Sequence, residues 1–239
     1  MTLSVIVPVY NNFDKLRNLL KSLSKQTVLG LLDVEIILVN DGSEQTVSIP
    51  FVKELEDKVK YYEISHGGAP KARNFGYNKS VGEYVFFCDA DVIFCKKDAL
   101  GQMIKKLEDN TDKAYCYSSF RYGWKKIKSI EFDENILKQR NEISTMSMIH
   151  REALEKIKDN GPWDESLKRF QDWDLWLNML EHGLTGIRVP KVLWRVKIGG
   201  DISSWFPARL FRFFKENKVV KEHIKAKDVV LEKHGLKYG

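Results

Sequence analysis

The chain has 239 residues, 43% hydrophobic and 30% charged, with a formal net charge of +6. That is enough for one large globular domain, with or without a small appendage, and no apolar run approaches the roughly 20 residues of a membrane span. Residues 205–239 hold nine Lys/Arg against four Asp/Glu, so +5 of the charge sits in a C-terminal tail; a nucleic-acid footprint should instead be a basic patch on the folded body, and nucleic acid is not an expected partner. Ser4–Val9 is an apolar strand closed by Asn11-Asn12, which suit a helix cap. Leu16, Leu19, Leu20 and Leu23 recur at i, i+3, i+4, i+7 and predict a helix over 13–25. Val34–Val39 is a second strand, ending in Asn40-Asp41-Gly42-Ser43; Val59–Ile64 is a third and Tyr84–Cys88 a fourth. Further helices are predicted over 51–57, 69–80 and 98–109. Strands alternating with helices imply an α/β fold, a mainly parallel sheet with helices on its faces. Ligands bind such sheets outside the carboxyl ends of the strands, which brings Pro8–Asn12, Asp41–Ser43 and Asp89–Asp91 to one edge. After about residue 112 the rhythm changes to short β-like runs over 114–120 and 144–150, and all six tryptophans fall in this second half.

Asp89-Ala90-Asp91 is the most informative pattern. It ends the buried run Tyr84-Val85-Phe86-Phe87-Cys88. At extended spacing, positions i and i+2 project to one side. Two carboxylates there are costly unless a cation sits between them. A hard divalent ion bridged to a diphosphate fits; the plain alternative is a strand-ending turn with two solvated aspartates. Cys88, Cys95 and Cys116 are odd in number and lack metal-type spacing, as expected of reduced thiols in a cytoplasmic protein. The N-terminus enters a strand without the basic and apolar stretches of a cleaved leader.

Ser4-Val5-Ile6-Val7-Pro8-Val9-Tyr10-Asn11, Ile37-Leu38-Val39-Asn40-Asp41-Gly42-Ser43, Ala72-Arg73-Asn74-Phe75-Gly76, Ser80-Val81-Gly82-Glu83-Tyr84 and Cys88-Asp89-Ala90-Asp91 occur in that order. Gly161-Pro162-Trp163-Asp164-Glu165 and Gln171-Asp172-Trp173-Asp174 follow. Together they resemble family 2 of the glycosyltransferases, inverting enzymes of the GT-A fold, across roughly residues 3–195. The resemblance implies a Rossmann-like domain over 1–204, with a nucleotide-sugar half (1–112) and an acceptor-side half (113–204). It implies transfer of a sugar from a UDP- or GDP-sugar to a hydroxyl of a glycan or lipid-linked saccharide, with Mn²⁺ or Mg²⁺.

Residue by residue, the resemblance makes Asp41 an acceptor for the nucleotide base, with Pro8, Tyr10 and Asn11 in the same donor segment. The alternative is an Asp that organises its own Asp-Gly-Ser turn. Arg73 is expected near the donor phosphates or the aspartate pair, where a planar guanidinium suits bidentate contacts, or else on the surface. His66-Gly67-Gly68 suits a donor-contacting loop, because glycine permits close backbone approach, with His66 itself facing solvent. Asp91 would bind the metal and Asp89 the ribose or metal-bound water. Asp172 is the expected general base, with Asp174 and Asp164 as alternatives. On a helix over 171–182, Asp172 and Asp174 lie about 200° apart, so both cannot face one hydroxyl. Trp194-Arg195-Val196-Lys197 carries Lys197 where relatives often place histidine, which makes Arg195 and Lys197 expected phosphate contacts. Trp163, Trp173 and Trp176 suit either acceptor stacking or the core.

Residues 206–217 predict an amphipathic basic helix, with Phe206, Leu210, Phe211, Phe213 and Phe214 on one side and Arg209, Arg212 and Lys215 on the other. Pro207 suits its first turn. The pattern fits peripheral attachment to the cytoplasmic face of a membrane, or a helix packing its Phe side on the domain. Two rival functions are a nucleotidyltransferase, though residues 8–17 lack the glycine-rich triphosphate loop, and a membrane-surface binding module that has lost catalysis.

Overall fold

The computed structural model describes residues 1–44, 52–157, 161–196 and 218–236. Strands β1 (Thr2–Val9), β2 (Asp33–Asp41), β3 (Val59–Ile64) and β4 (Tyr84–Phe87) run parallel in the order β3-β2-β1-β4. The sheet continues through β8 (Ser147–His150), β6 (Tyr115–Tyr122), β9 (Gly186–Val196) and β5 (Val92–Phe94), while β7 (Lys125–Ile127) forms a hairpin with β6. Antiparallel β8 joins the parallel half to the second half, where β9 again runs parallel to β6.

Alternation along the strands divides the core into two layers. Leu3, Val5, Val7 and Val9 of β1, Val34, Ile36 and Leu38 of β2, and Tyr84 and Phe86 of β4 share one cluster. Helices α1 (Phe13–Leu23) and α3 (Ala99–Glu108) close that face with Leu16, Leu19, Leu20, Leu23, Leu100, Met103 and Ile104. Ile6, Ile37, Val39, Val85 and Phe87 face the other way, into a cluster with Trp163, Trp173 and Trp176. Helix α2 (Ala69–Lys79) and α6 (Gln171–Glu181) supply that second face. Strands covered on both faces read as continuous apolar runs, which is why β1, β2 and β4 stand out in the sequence.

Three short or late helices complete the described chain: α4 (Glu134–Gln139), α5 (Arg151–Lys156) and α7 (Lys218–Lys233). The helix predicted over 51–57 is a single 3-10 turn, Lys53–Leu55. Within that turn only Leu55 is buried, so there is no apolar stripe to hold further turns. Helix α7 packs Val230 and Leu231 into the tryptophan-lined core. The amphipathic segment over 206–217 and Lys197 lie outside the described residues. Among the described residues no helix is long and apolar enough to cross a membrane.

Candidate active site

The carboxyl ends of β1, β2 and β4 open into a cleft of about 1460 Å³, whose far wall is the 140–146 segment and the start of α6. Pro8, Tyr10, Asp41, Arg73, Asp89, Asp91 and Asp172 all line it. Asp89 and Asp91 reach it from a turn rather than from strand alternation. β4 stops at Phe87, and Val92 N–H closes back on the Asp89 carbonyl at 3.2 Å. The turn links β4 to β5 and presents both carboxylates at the cleft.

Arg73 joins the two sides. Its Nη2 donates to Asp89 Oδ1 at 2.8 Å, its Nη1 to Gln171 Oε1 at 3.4 Å, and its guanidinium lies 4.6 Å from the Trp163 ring centroid. The next residue, Asn74, clamps the acidic segment to α2: its Nδ2 donates to the Trp163 carbonyl at 2.8 Å and to Glu165 Oε1 at 2.9 Å, and its Oδ1 accepts from Trp163 N–H at 3.0 Å. Gly161 permits this approach, since its φ is +109° and a Cβ there would lie 2.7 Å from Asn74 Cγ.

Asp41 is 2% exposed and holds a loop. Its Oδ1 accepts from Gly67 N–H at 2.9 Å and its Oδ2 from Gly68 N–H at 2.8 Å, while His66 Nδ1 lies 2.9 Å from Oδ2. The His66 ring is about half exposed and stacks on Tyr10 at 4.3 Å between centroids. Two expected donor contacts fall elsewhere. Asn11 turns to accept from Glu44 N–H at 3.1 Å, tying the β1 and β2 ends together, and it is Asn12 that lines the cleft. Arg195 is exposed on β9, whose alternation turns Trp194 and Val196 to the cleft instead.

Of Asp164, Asp172 and Asp174, Asp172 alone lines the cleft. It sits in the first turn of α6, whose entry residue Phe170 has φ +59°. Burial raises the Asp172 carboxyl above the usual carboxylate range; hydrogen bonds from the Asn141 side chain and Trp173 N–H and the charge of Arg73 oppose it, and Asp89 adds to it. Asp174 points the other way and is 2% exposed. Its Oδ1 pairs with Lys233 Nζ at 2.7 Å and His234 Nε2 at 2.9 Å, so it anchors α7. Asp164 pairs with the same Lys233 at 2.7 Å.

The tryptophans of the acidic segment are core: Trp163, Trp173 and Trp176 are at most 2% exposed. Trp173 Nε1 donates to the Leu137 carbonyl at 2.6 Å and Trp176 Nε1 to the Ile143 carbonyl at 3.0 Å. The Trp176 bond fixes the 140–146 segment over Asp172, and the Trp173 bond holds α4 just before it. Sequence reasoning missed that segment: it is polar, without periodicity, and its position is set by an indole some 30 residues later. Asn74 was legible only as part of its motif.

The chain matches the family model described as "Glycosyl transferase family 2" over residues 4–158. It is 29% identical over 191 residues to an uncharacterized glycosyltransferase of Rickettsia typhi, covering 74% of this chain and 58% of that one. The chain thus spans less than two thirds of that relative. Its fold is similar to that of Staphylococcus aureus TarS 1–349 in complex with UDP-GlcNAc, with TM-score 0.68, 21% identity, and 97% and 71% of the two chains covered. It is also similar to the mannosyltransferase PcManGT from Pyrobaculum calidifontis in complex with GDP-Man and Mn²⁺, with TM-score 0.62, 17% identity, and 95% and 69% covered. With the α/β sheet, the motif order and this match in agreement, the fold is GT-A and the chain belongs to family 2 of the glycosyltransferases.

Proposed function

We propose that this chain transfers a sugar from a nucleoside-diphosphate sugar to a hydroxyl acceptor with inversion at the anomeric carbon. The observation that carries the reading is that the Asp89–Asp91 turn and a partly buried Asp172, whose proton affinity is raised, line one cleft. The UDP-GlcNAc and GDP-Man complexes of the two structural relatives support a nucleotide-sugar donor. Asp172 takes the proton of the acceptor hydroxyl as its oxygen bonds to the anomeric carbon. The bond from that carbon to the diphosphate oxygen breaks on the opposite face, and the nucleoside diphosphate leaves. A base with proton affinity above an ordinary carboxylate suits this role, which supplies about 10²–10⁴-fold in such reactions.

Tyr10, His66 and the Gly67-Gly68 loop form the donor wall, with Asp41 holding the loop in place. Asp89 and Asp91 are hard oxygen donors in one turn, which fits Mn²⁺ or Mg²⁺. Among the described residues there is no group of three or more His, Cys, Asp or Glu to hold a metal. The remaining oxygens would therefore come from the diphosphate and water, as is usual for Mg²⁺. When bound there, such an ion would neutralise charge developing on the leaving diphosphate.

The test pairs binding with turnover. Wild type and Asp172→Asn are titrated with UDP and GDP in Mn²⁺, then assayed for transfer from a panel of nucleotide sugars. The expected result is unchanged nucleotide affinity and lost transfer in the variant; full transfer by Asp172→Asn overturns the assignment.

A further inference from the structure

One face of the β6–β7 hairpin lines the cleft through the paired residues Phe120 and Ile127. The other face carries charge. Register sets Arg121 of β6 opposite Lys126 of β7 on one side and opposite Arg195 of β9 on the other. Residues directly opposite one another project to the same side of a sheet, so three cations stand in a row across three adjacent strands. All three are exposed. Ile93 of the edge strand β5 pairs with Arg195 and ends the row with a partly buried apolar side chain. At the tip, Tyr122 pairs with Lys125, so Gly123 and Trp124 form a two-residue turn. Gly123 has φ +55°, which a tight hairpin turn of this length requires of its first residue, and Trp124 is 91% exposed. We infer that this hairpin face is a docking surface for an anionic lipid bilayer. The Trp124 indole enters the headgroup region, and Arg121, Lys126 and Arg195 lie against lipid phosphates. The inference goes beyond the proposed sugar transfer and does not depend on it.

Three observations carry it. First, the row lacks local compensation. Among the described residues none of Arg121, Lys126 and Arg195 has a carboxylate partner, whereas Arg188, paired by register with Tyr117 of β6, meets Glu131 Oε1 at 3.3 Å. Like charges directly opposite on neighbouring strands are destabilising, and a surface dense in phosphates removes that repulsion. Second, the shape suits a plane. The row spans two inter-strand spacings, about 10 Å, and Lys126 stands about 7 Å along the strand from Trp124. None of the three cations lines the cleft, so one small anion would have no enclosing wall, while an extended anionic surface meets the row and the tip together. Third, the tip residue suits an interface. Trp124 makes no hydrogen bond or ring contact among the described residues, and an indole joins a large apolar area to a single N–H donor. The headgroup level of a bilayer satisfies both. This surface is separate in sequence from the amphipathic segment over 206–217. Because the opposite face of the same hairpin is a wall of the cleft, docking brings that wall to the headgroups.

The experiment is co-sedimentation of the 239-residue chain with vesicles of phosphatidylcholine alone and of phosphatidylcholine mixed with phosphatidylglycerol, without nucleotide or metal. The expected result is binding to the mixed vesicles that weakens with added salt, and little binding to phosphatidylcholine alone. Arg121→Gln, Lys126→Gln and Arg195→Gln should each weaken it about fivefold, and the triple variant roughly a hundredfold. Mixed vesicles with brominated acyl chains should quench tryptophan emission in wild type and quench it less in Trp124→Phe. All four side chains are exposed, so the variants should melt with wild type, which separates lost docking from lost folding. No binding of wild type to the mixed vesicles, or equal binding to both kinds, overturns the docking surface. Wild-type affinity in the triple variant, or unchanged quenching in Trp124→Phe, overturns it as well and places any bilayer contact elsewhere on the chain.

Discussion

Arg73 Nη2 donates to Asp89 Oδ1 at 2.8 Å while its Nη1 reaches Gln171, so one guanidinium links the Asp89–Asp91 turn to α6. The guanidinium is 7% exposed and its partner carboxylate 40% exposed, so the cation is held by the fold while the anion faces the cleft. The same group reaches Gln171, the first residue of α6, and its charge acts on Asp172. Arg73 Nε has no partner among the described residues.

Arg73→Lys should therefore separate charge from geometry. A lysine keeps the cation but loses the fork and the stacking on Trp163. The expected outcome is a transfer rate lower by about 10²-fold, since small misplacements of reacting groups carry costs of that size. Stability should fall by about 1–3 kcal/mol for the lost charged hydrogen bonds. Steady-state kinetics and denaturant melts check both; a variant within twofold of wild type in rate would exclude a bridging role.

The raised proton affinity of Asp172 has two consequences of opposite sign. As a base it must be ionised, so transfer should rise with pH through a pKa above the ordinary carboxylate value of about 3.9. As a partly buried group whose folded pKa is raised, it binds its proton more tightly in the folded state. Its contribution to stability is greatest below the unfolded pKa and is lost as pH rises through the folded one. Asp172→Asn should then melt higher than wild type at pH 7, with the advantage shrinking toward pH 3. Calorimetry across that range gives the answer, and a variant less stable at pH 7 contradicts the burial argument.

Much of this site is local and so was readable from residue order. The strand ends carrying Pro8, Asp41 and Asp89 follow from apolar runs buried on both faces, and Asp172 from a helix start. What was not readable depends on long-range register. Arg195 turns away because β9 pairs in register with β6 and β5, which no local pattern around Trp194 reveals. Asp89 and Asp91 share the cleft through a turn, although strand spacing also predicts a shared side. Asp174, next but one to the proposed base, looked like a rival until its partners Lys233 and His234 arrived from 60 residues away.

Trp173 and Trp176 act from beneath the cleft. Trp173→Phe and Trp176→Phe keep most of the apolar volume but leave the Leu137 or Ile143 carbonyl without its indole donor. Each should cost about 1–3 kcal/mol for a buried acceptor left unsatisfied. Because the Ile143 bond positions the 140–146 segment and the Leu137 bond holds α4 leading into it, the acceptor KM should rise while UDP or GDP affinity holds. A donor-affinity loss equal to the acceptor effect would point instead to general loosening of the fold.

His234 makes the docking of α7 pH-dependent. Nδ1 faces Glu181 Oε1 at 2.7 Å and Nε2 faces Asp174 Oδ1 at 2.9 Å, so both ring nitrogens meet carboxylate acceptors. Only the imidazolium donates from both. Burial pushes its pKa down, but the hydrogen bonds and charges of Asp174 and Glu181 outweigh it and the net shift is upward. A raised folded pKa makes the stabilisation complete below the unfolded value of about 6.5 and lost as pH rises through the folded one. Lys233 still bridges Asp164 and Asp174 above that point, so α7 should loosen rather than unfold. Hydrogen exchange over 218–236, corrected for intrinsic rates, should therefore quicken between pH 6 and pH 9 in wild type. In His234→Gln, which carries no titrating charge, exchange should be faster at pH 6 and show no such step. Equal pH dependence in the two proteins would assign the step to another group.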